Sequence, residues 1–265
     1  MEVAVCSLRD ERGLRAAMKG VSTVIHLAGV ERQSSRANLT EVDIEGSHTV
    51  AQAAAQAGVR RIVYLSHLGA DRASAYPVLK AKALAEHEIM QSGVPYTIFR
   101  SAVVFGPGDQ FSTGIARLVR LNPFFVLLPG DGGSLLQPLW IDDLVAAMTI
   151  ALDDPDTQNR IYQVGGAETL TFRQTVETVM NHLGIRRVML PVSPAYLRML
   201  ALWVEQPVRN FPLSIFWLDY LSADRTCRLD TLPRTFGLMP ARFHQQLGYL
   251  TEKTAKKGRF LQVRG

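Results

Sequence analysis

Apolar and polar positions along this chain fall into short runs that alternate between two periods. In the first half, Glu2–Cys6, Thr23–Leu27 and Arg61–Leu65 are near-continuous apolar or β-branched runs, the pattern of strands. Between them lie segments with helical periodicity. Asp10–Lys19 has Asp10 as a cap and Gly20 as a stop. Leu39–Ala57 carries Val42, Ile44, Val50, Ala53 and Ala54 on one face and ends at Gly58, and Lys80–Gln91 ends before Gly93. Tyr96–Phe99 and Ala102–Phe105 read as one strand entering a loop at Gly106, Pro107 and Gly108. Strands that alternate with helices predict an α/β fold, a parallel sheet with helices on both faces. Such strands are buried on both sides, which explains their unbroken apolar character.

The second half is less regular. Helices are expected over Gly114–Arg120, from a cap at Asp142 or Asp143 to Leu152, and from a cap at Thr171 to about His182 with Gly184 beyond. Strands are expected at Phe124–Leu128, Pro138–Ile141 and Arg160–Val164. Ala195–Glu205 is amphipathic, and Phe211–Leu221 is apolar at most positions, so a small mixed C-terminal lobe is expected. The organisation read from this is a nucleotide-binding domain over 1–185, a helical lobe over 186–250 and a basic tail over 251–265.

Composition narrows the picture. The 265 residues are 47% hydrophobic and 20% charged, an ordinary globular balance. Cys6 and Cys227 are the only cysteines, with no CxxC and no ligand-spaced His/Cys cluster, so a disulfide scaffold or structural zinc is not expected and a reducing, cytoplasmic setting fits. The formal net charge is +5, and four of those charges belong to the tail, where Lys253, Lys256, Lys257, Arg259 and Arg264 stand against Glu252. The near-neutral body argues against a nucleic-acid-binding face. The charged opening MEVAVCSLRDERG predicts no secretory signal, and Arg198, Glu205, Pro207, Arg209, Pro212 and Asp219 interrupt the one long apolar stretch, Ala195–Leu221. That stretch and the basic tail are the candidate surfaces for a protein partner or for peripheral membrane contact.

In parallel α/β sheets ligands sit beyond the carboxyl ends of the strands. Here those ends are Ser7–Leu8, Leu27–Ala28–Gly29, Leu65–Ser66–His67 and Arg100–Ser101–Ala102. Five stretches then appear in order: VSTVIHLAG, VDIEGSHTVAQAAAQAGVRRIVYLS, YPVLKAKALAE, VPYTIFRSAVVFGPGD and PLWIDDLVAAM. Over about residues 1–185 they resemble the extended and atypical short-chain dehydrogenase/reductases. SHLGADRASAYPVLKAKALAE followed by RSAVVFGPGDQF resembles the NAD(P)H-binding subgroup found as a complex I accessory subunit.

The resemblance implies a Rossmann-like domain and NAD or NADP as cofactor. It implies cofactor contacts at Leu8, Leu27, Ala28, Gly29, Ser66, Lys82, Arg100, Ser101, Ala102 and Val103. Two departures from the family pattern stand out. The chain begins where the family's third strand would be, so the first strand, the G-x-x-G-x-x-G turn, the helix and the second strand have no counterpart, and a shortened reading frame is the expected cause. The family's Asp after the third strand is Ser7. In the catalytic motif, Tyr76 and Lys80 match Tyr-x-x-x-Lys in spacing, which sets both side chains on one helical face. The following Lys-x-x-x-Glu favours Lys82 with Glu86 instead, and that register puts Val78 at the tyrosine position. Pro77 places Tyr76 at or before the helix start, and His67 occupies the position of the hydroxyl helper.

Tyr76, Lys80, Lys82 and His67 are therefore the candidate catalytic residues. Asp43 is expected to be a solvated helix residue where relatives carry Asn, and His26 a structural core residue. Three functions follow as alternatives. The first is a weakly catalytic or non-catalytic NAD(P)-binding accessory protein with a redox-sensing or assembly role. The second is an active oxidoreductase or epimerase on a nucleotide sugar or small carbonyl compound. The third is a fragment that binds no nucleotide.

Overall fold

The computed structural model describes residues 2–30, 38–205 and 214–251. Helix α1 (Glu11–Ala17) opens at Asp10, whose carboxylate accepts from the Gly13 amide at 2.9 Å, the expected cap. Strand β1 (Thr23–His26) follows, then a π-helical turn over Thr40–Glu45 that runs into α2 (Gly46–Gln56). The helix expected over Leu39–Ala57 is thus real, with its first turn widened. Next come β2 (Arg61–His67), α3 (Pro77–Gln91) and β3 (Tyr96–Ser101). Strand β4 (Val104–Phe105) is short, because the chain leaves the sheet after Ser101.

The second half holds α4 (Ser112–Leu121), β5 (Phe125–Pro129), β6 (Leu135–Leu136), β7 (Leu139–Trp140), α5 (Ile141–Asp153) and β8 (Arg160–Val164). After these come β9 (Leu170–Thr171), α6 (Phe172–Leu183), β10 (Val188–Val192), α7 (Pro194–Glu205), α8 (Ile215–Tyr220) and α9 (Thr231–Phe236). Thr171 caps α6 in a capping box with Gln174, and Gly184 closes it at φ +66°.

The main sheet has the order β1–β2–β3–β8, and every pairing is parallel. Alternate residues of β2 face opposite layers. Ile62 and Tyr64 pack with Leu14, Val50, Ala54 and Ile89 from α1, α2 and α3. Val63 packs with Leu144 and Ala147 of α5 and Leu232 and Phe236 of α9. Helices therefore cover both faces, as the apolar runs require. A third cluster builds the lobe from α4, β5, α6 and α8, and it draws on Val103 and Phe105 as well as Phe243 and Leu250, residues from both sides of position 185.

Two local readings are corrected. Glu2–Cys6 forms no strand: β1 is an edge of the sheet among the described residues, no ladder joins it to residues 2–6, and Val3 and Val5 lie exposed. Neither Asp142 nor Asp143 is the cap of α5; that position is Trp140. Asp142 accepts from the Trp140 indole at 3.1 Å and Asp143 from the Ala241 amide at 2.8 Å, so the indole and the C-terminal loop take up the carboxylates. Both acids still sit in the first turn, where the helix dipole favours negative charge.

Candidate functional site

The carboxyl ends of β1 and β2 enclose a buried charge pair. Lys82, on the second turn of α3, puts its ammonium 3.0 Å from Asp43 Oδ1 and 5.3 Å from the centre of the Tyr64 ring. Asp43 is fully buried, so the solvated role expected for it is corrected. The π-helical turn carries it inward, the setting in which such turns recur at functional sites. Its other oxygen accepts from the Val30 amide at 3.0 Å. Burial by itself would lower the Lys82 pKa, but Tyr64 and Asp43 outweigh it and hold the ammonium above its ordinary value. Gly29 closes over this pair. A Cβ there would lie 2.5 Å from Lys82 Nζ and 3.0 Å from Asp43 Oδ1, so only glycine fits without moving the lysine. Leu8 packs beside Gly46 at the start of α2, Ala28 is half-buried and Leu27 is exposed.

Ser66 and Arg100 meet a different partner. The buried Glu86 carboxylate accepts from Ser66 Oγ at 2.5 Å and, in a fork, from Arg100 Nε at 3.0 Å and Nη2 at 2.6 Å. This hydrogen bonding raises the Arg100 pKa. The triad ties β2, α3 and β3 together, and it commits Ser66 and Arg100 to Glu86.

Beyond the ends of β2 and β3 lies a cavity of about 410 Å³, within the usual range of small-molecule sites. Its walls include His67, Ser101, Ala102, Val103 and the aromatic side chains of Phe105, Phe111, Phe216, Trp217 and Tyr220. His67 Nδ1 is sealed from solvent and has no hydrogen-bond partner among the described residues. Burial first, then the charges of Lys82 and Arg225, push its pKa down to about 3, so the imidazole is neutral at pH 7. Asp109, between this cavity and α4, is saturated: it accepts from the Gly106 and Thr113 amides, Ser112 Oγ and Tyr249 OH.

Tyr76 and Lys80 lie in different surroundings, Tyr76 beside Arg225 and Lys80 exposed. Tyr76 is the extended N-cap of α3, at φ −91° and ψ 118°, as Pro77 at the first helical position demands. Its ring lies under the Arg225 guanidinium, 5.9 Å away, and Lys80 is exposed. Val78, one turn before Lys82, packs against the lobe core. Sequence reasoning missed Asp43 and Arg225. The first had a visible signal, because Asp43, Ser47, Val50 and Ala54 recur at helical spacing on one buried face. The second had none, since Arg225 reaches Tyr76 from a loop 149 residues further along the chain.

His26 lies in the core, as expected. Its Nε2 is 2.9 Å from Ser47 Oγ, its ring stacks on Tyr64, and burial followed by the Lys82 charge lowers its pKa to about 4. Both buried histidines bind protons less tightly when folded, and the unfolded chain takes them up below about pH 6.5. Stability is therefore full above pH 6.5 and is lost as pH falls toward the folded values. Each histidine is expected to cost about 2 kcal/mol at pH 5. Urea unfolding at pH 7 and pH 5 checks this: His67→Gln should shrink the acid loss by about that amount, and an unchanged loss would count against a buried neutral imidazole.

Residues 1–117 match the family described as NAD(P)H-binding. The Arabidopsis thaliana mitochondrial NADH dehydrogenase [ubiquinone] 1 alpha subcomplex subunit 9 is 29% identical over 175 residues, 65% of this chain and 43% of that protein. The chain spans about two fifths of that relative's length. Sterol demethylase protein B of Methylococcus capsulatus is 27% identical over 240 residues, 80% of this chain and 70% of that protein. Among solved structures, the NADPH complex of the Escherichia coli quinone oxidoreductase QOR2 superposes with a TM-score of 0.74 at 18% identity, covering 94% of this chain and 83% of that one. The matched segment and the relatives make this chain similar to NAD(P)H-binding proteins, and the superposition shows that it shares their Rossmann-like fold.

Proposed function

We propose that this chain binds NAD(P)(H) in the crevice above β1, β2 and β3 as a weakly catalytic or non-catalytic accessory protein. The residues fit the nicotinamide half of such a dinucleotide. Gly29 leaves open backbone above the buried Lys82–Asp43 pair, where a ribose can approach, and Ser101, Ala102 and Val103 border a cavity wide enough for the nicotinamide ring. When bound, the dinucleotide supplies a hydride donor or acceptor. Lys82 offers a permanent cation to the ribose hydroxyls, and the aromatic walls exclude water from the ring.

One observation carries the non-catalytic part. Lys82 has Val78 one turn before it, Tyr76 is turned to Arg225, and the phenol that does lie beside the lysine, Tyr64, is fully buried in the sheet, so among the described residues no exposed phenol stands at the lysine to hand a proton to a carbonyl. An accessory place in a larger assembly is supported by the Arabidopsis relative, which is a subunit of NADH dehydrogenase. The outer face of α7, with exposed Tyr196, Met199 and Trp203, is the surface offered for that contact. The basic tail lies outside the described residues. Among those residues no helix is long and apolar enough to cross a membrane.

A reductase of apolar carbonyl compounds is the second reading. It is favoured by His67, a neutral imidazole on the wall of an aromatic cavity, where its N–H can polarise a carbonyl oxygen. Steady-state assays with NADPH and a panel of ketones and quinones separate the two. The accessory reading expects turnover at background and no change in Tyr76→Phe. A turnover that falls at least a hundredfold in Tyr76→Phe would overturn it, and one that falls in His67→Ala alone would select the second reading.

A further inference from the structure

The cavity beyond β2 and β3 is walled by aromatic side chains from three places: Phe105 at the end of β4, Phe111 just before α4, and Phe216, Trp217 and Tyr220 on α8. The ring centres of Phe111 and Trp217 are 5.4 Å apart and those of Phe216 and Trp217 are 5.0 Å apart, so these rings form one continuous apolar lining. A volume of about 410 Å³ has room for a two-ring ligand. Pro107, Gly108 and Gln110 belong to the walls and are exposed, so the cavity opens to solvent on their side.

The polar groups of the walls decide the charge of what fits. No lysine or arginine is among the described wall residues. The carboxylate there, Asp109, already accepts from four donors, and Ser101 Oγ donates to the Ala102 carbonyl at 2.8 Å. Lys82 is paired with Asp43, and Arg225 faces the Tyr76 and Tyr220 rings, so both cations stand behind the wall. An anion entering here would give up its hydration and meet no cation. His67 supplies the directional contact. Its imidazole is neutral, and of its two nitrogens only Nδ1 is sealed, so Nε2 is the one that a ligand reaches. A neutral ring has a single N–H, and an orphaned buried N–H is the costlier state, so the proton belongs on Nε2 and is offered to a ligand oxygen.

We infer that this cavity binds a neutral, planar aromatic carbonyl compound, with its rings against Phe216 and Trp217 and its oxygen on His67 Nε2, and that it rejects nucleotide sugars, whose diphosphate finds no cation there. The inference rests on the reductase reading for the use of the site and names its ligand class. Binding is measured without dinucleotide, and turnover is read separately.

Equilibrium dialysis of the whole protein at neutral pH against 2-acetylnaphthalene, 2-ethylnaphthalene, 2-naphthoate and UDP-glucose is the test. 2-Acetylnaphthalene should bind roughly tenfold or more tighter than 2-naphthoate, which would bury an unpaired charge, and UDP-glucose should not bind at roughly millimolar concentration. In His67→Phe the affinity for the ketone should fall about fivefold relative to that for 2-ethylnaphthalene, the effect of one lost hydrogen bond, and His67→Gln, which keeps a donor, should lose less. Trp217→Leu should weaken both neutral compounds, since it takes a ring out of the wall. Binding of 2-naphthoate or UDP-glucose as tight as that of 2-acetylnaphthalene would overturn the proposal. So would a ketone preference unchanged in His67→Phe, or neutral ligands indifferent to Trp217→Leu. Adding NADPH separates the two claims: ketone that binds in this pattern and is never reduced upholds the ligand class and rejects the reductase reading.

Discussion

Lys82→Met is expected to lower the unfolding free energy by about 3–5 kcal/mol, because it leaves the fully buried Asp43 without its cation. The loss should exceed the packing value of the side chain, since methionine is a fair match for the lysine stem. A second variant separates charge from shape. Lys82→Met combined with Asp43→Asn removes both members of the pair and should recover most of the loss, because a neutral amide costs far less to bury than a lone carboxylate. Urea unfolding of the two variants measures the difference. Equal destabilisation by the single and the double variant would mean that the pair is not coupled. The same variants separate stability from binding: the double variant should fold and still bind dinucleotide poorly, since the cation facing the ribose is gone.

Glu86→Gln should cost about 3 kcal/mol. The carboxylate accepts from three donors on Ser66 and Arg100, and the amide can accept at only one of its two atoms. Arg100 is partly exposed and regains some hydration, which keeps the cost near the low end for a broken buried pair. The effect should appear in stability and leave dinucleotide affinity within a few-fold, because Ser66 and Arg100 act on Glu86. An affinity loss above tenfold at unchanged stability would return these two residues to the cofactor.

Much of the fold is legible in the chain because its strands obey a strict physical rule. Arg61–His67 and Tyr96–Ser101 are buried on both sides, so they announce themselves as apolar runs, and the helices between them show a 3.6-residue period. The lapse at Glu2–Cys6 has a clear cause: an apolar run becomes a strand only where a neighbour can pair with it. The candidate site is legible where it depends on one helix. Lys82 and Glu86 share a face of α3, and Pro77 fixes Tyr76 at the cap. It is not legible where distant segments converge. Phe105, Phe216 and Tyr220 close one cavity from positions more than 100 residues apart, and Arg225 meets Tyr76 only through the packing of the lobe. Ser66 and Arg100 sit at the strand ends where ligands bind, and their hydrogen bonds to Glu86 depend on a helix that the strand pattern does not reveal.

The central claim is that the crevice above Gly29 and Lys82 holds a nicotinamide dinucleotide. Titrating NADPH and NADH against the full chain, with nicotinamide fluorescence as the readout, tests it most directly. Saturable binding at or below roughly millimolar concentration, with emission shifted to the blue by the apolar cavity and weakened at least tenfold in Lys82→Met/Asp43→Asn, is the predicted result. No spectral change with either dinucleotide up to that concentration would contradict the account.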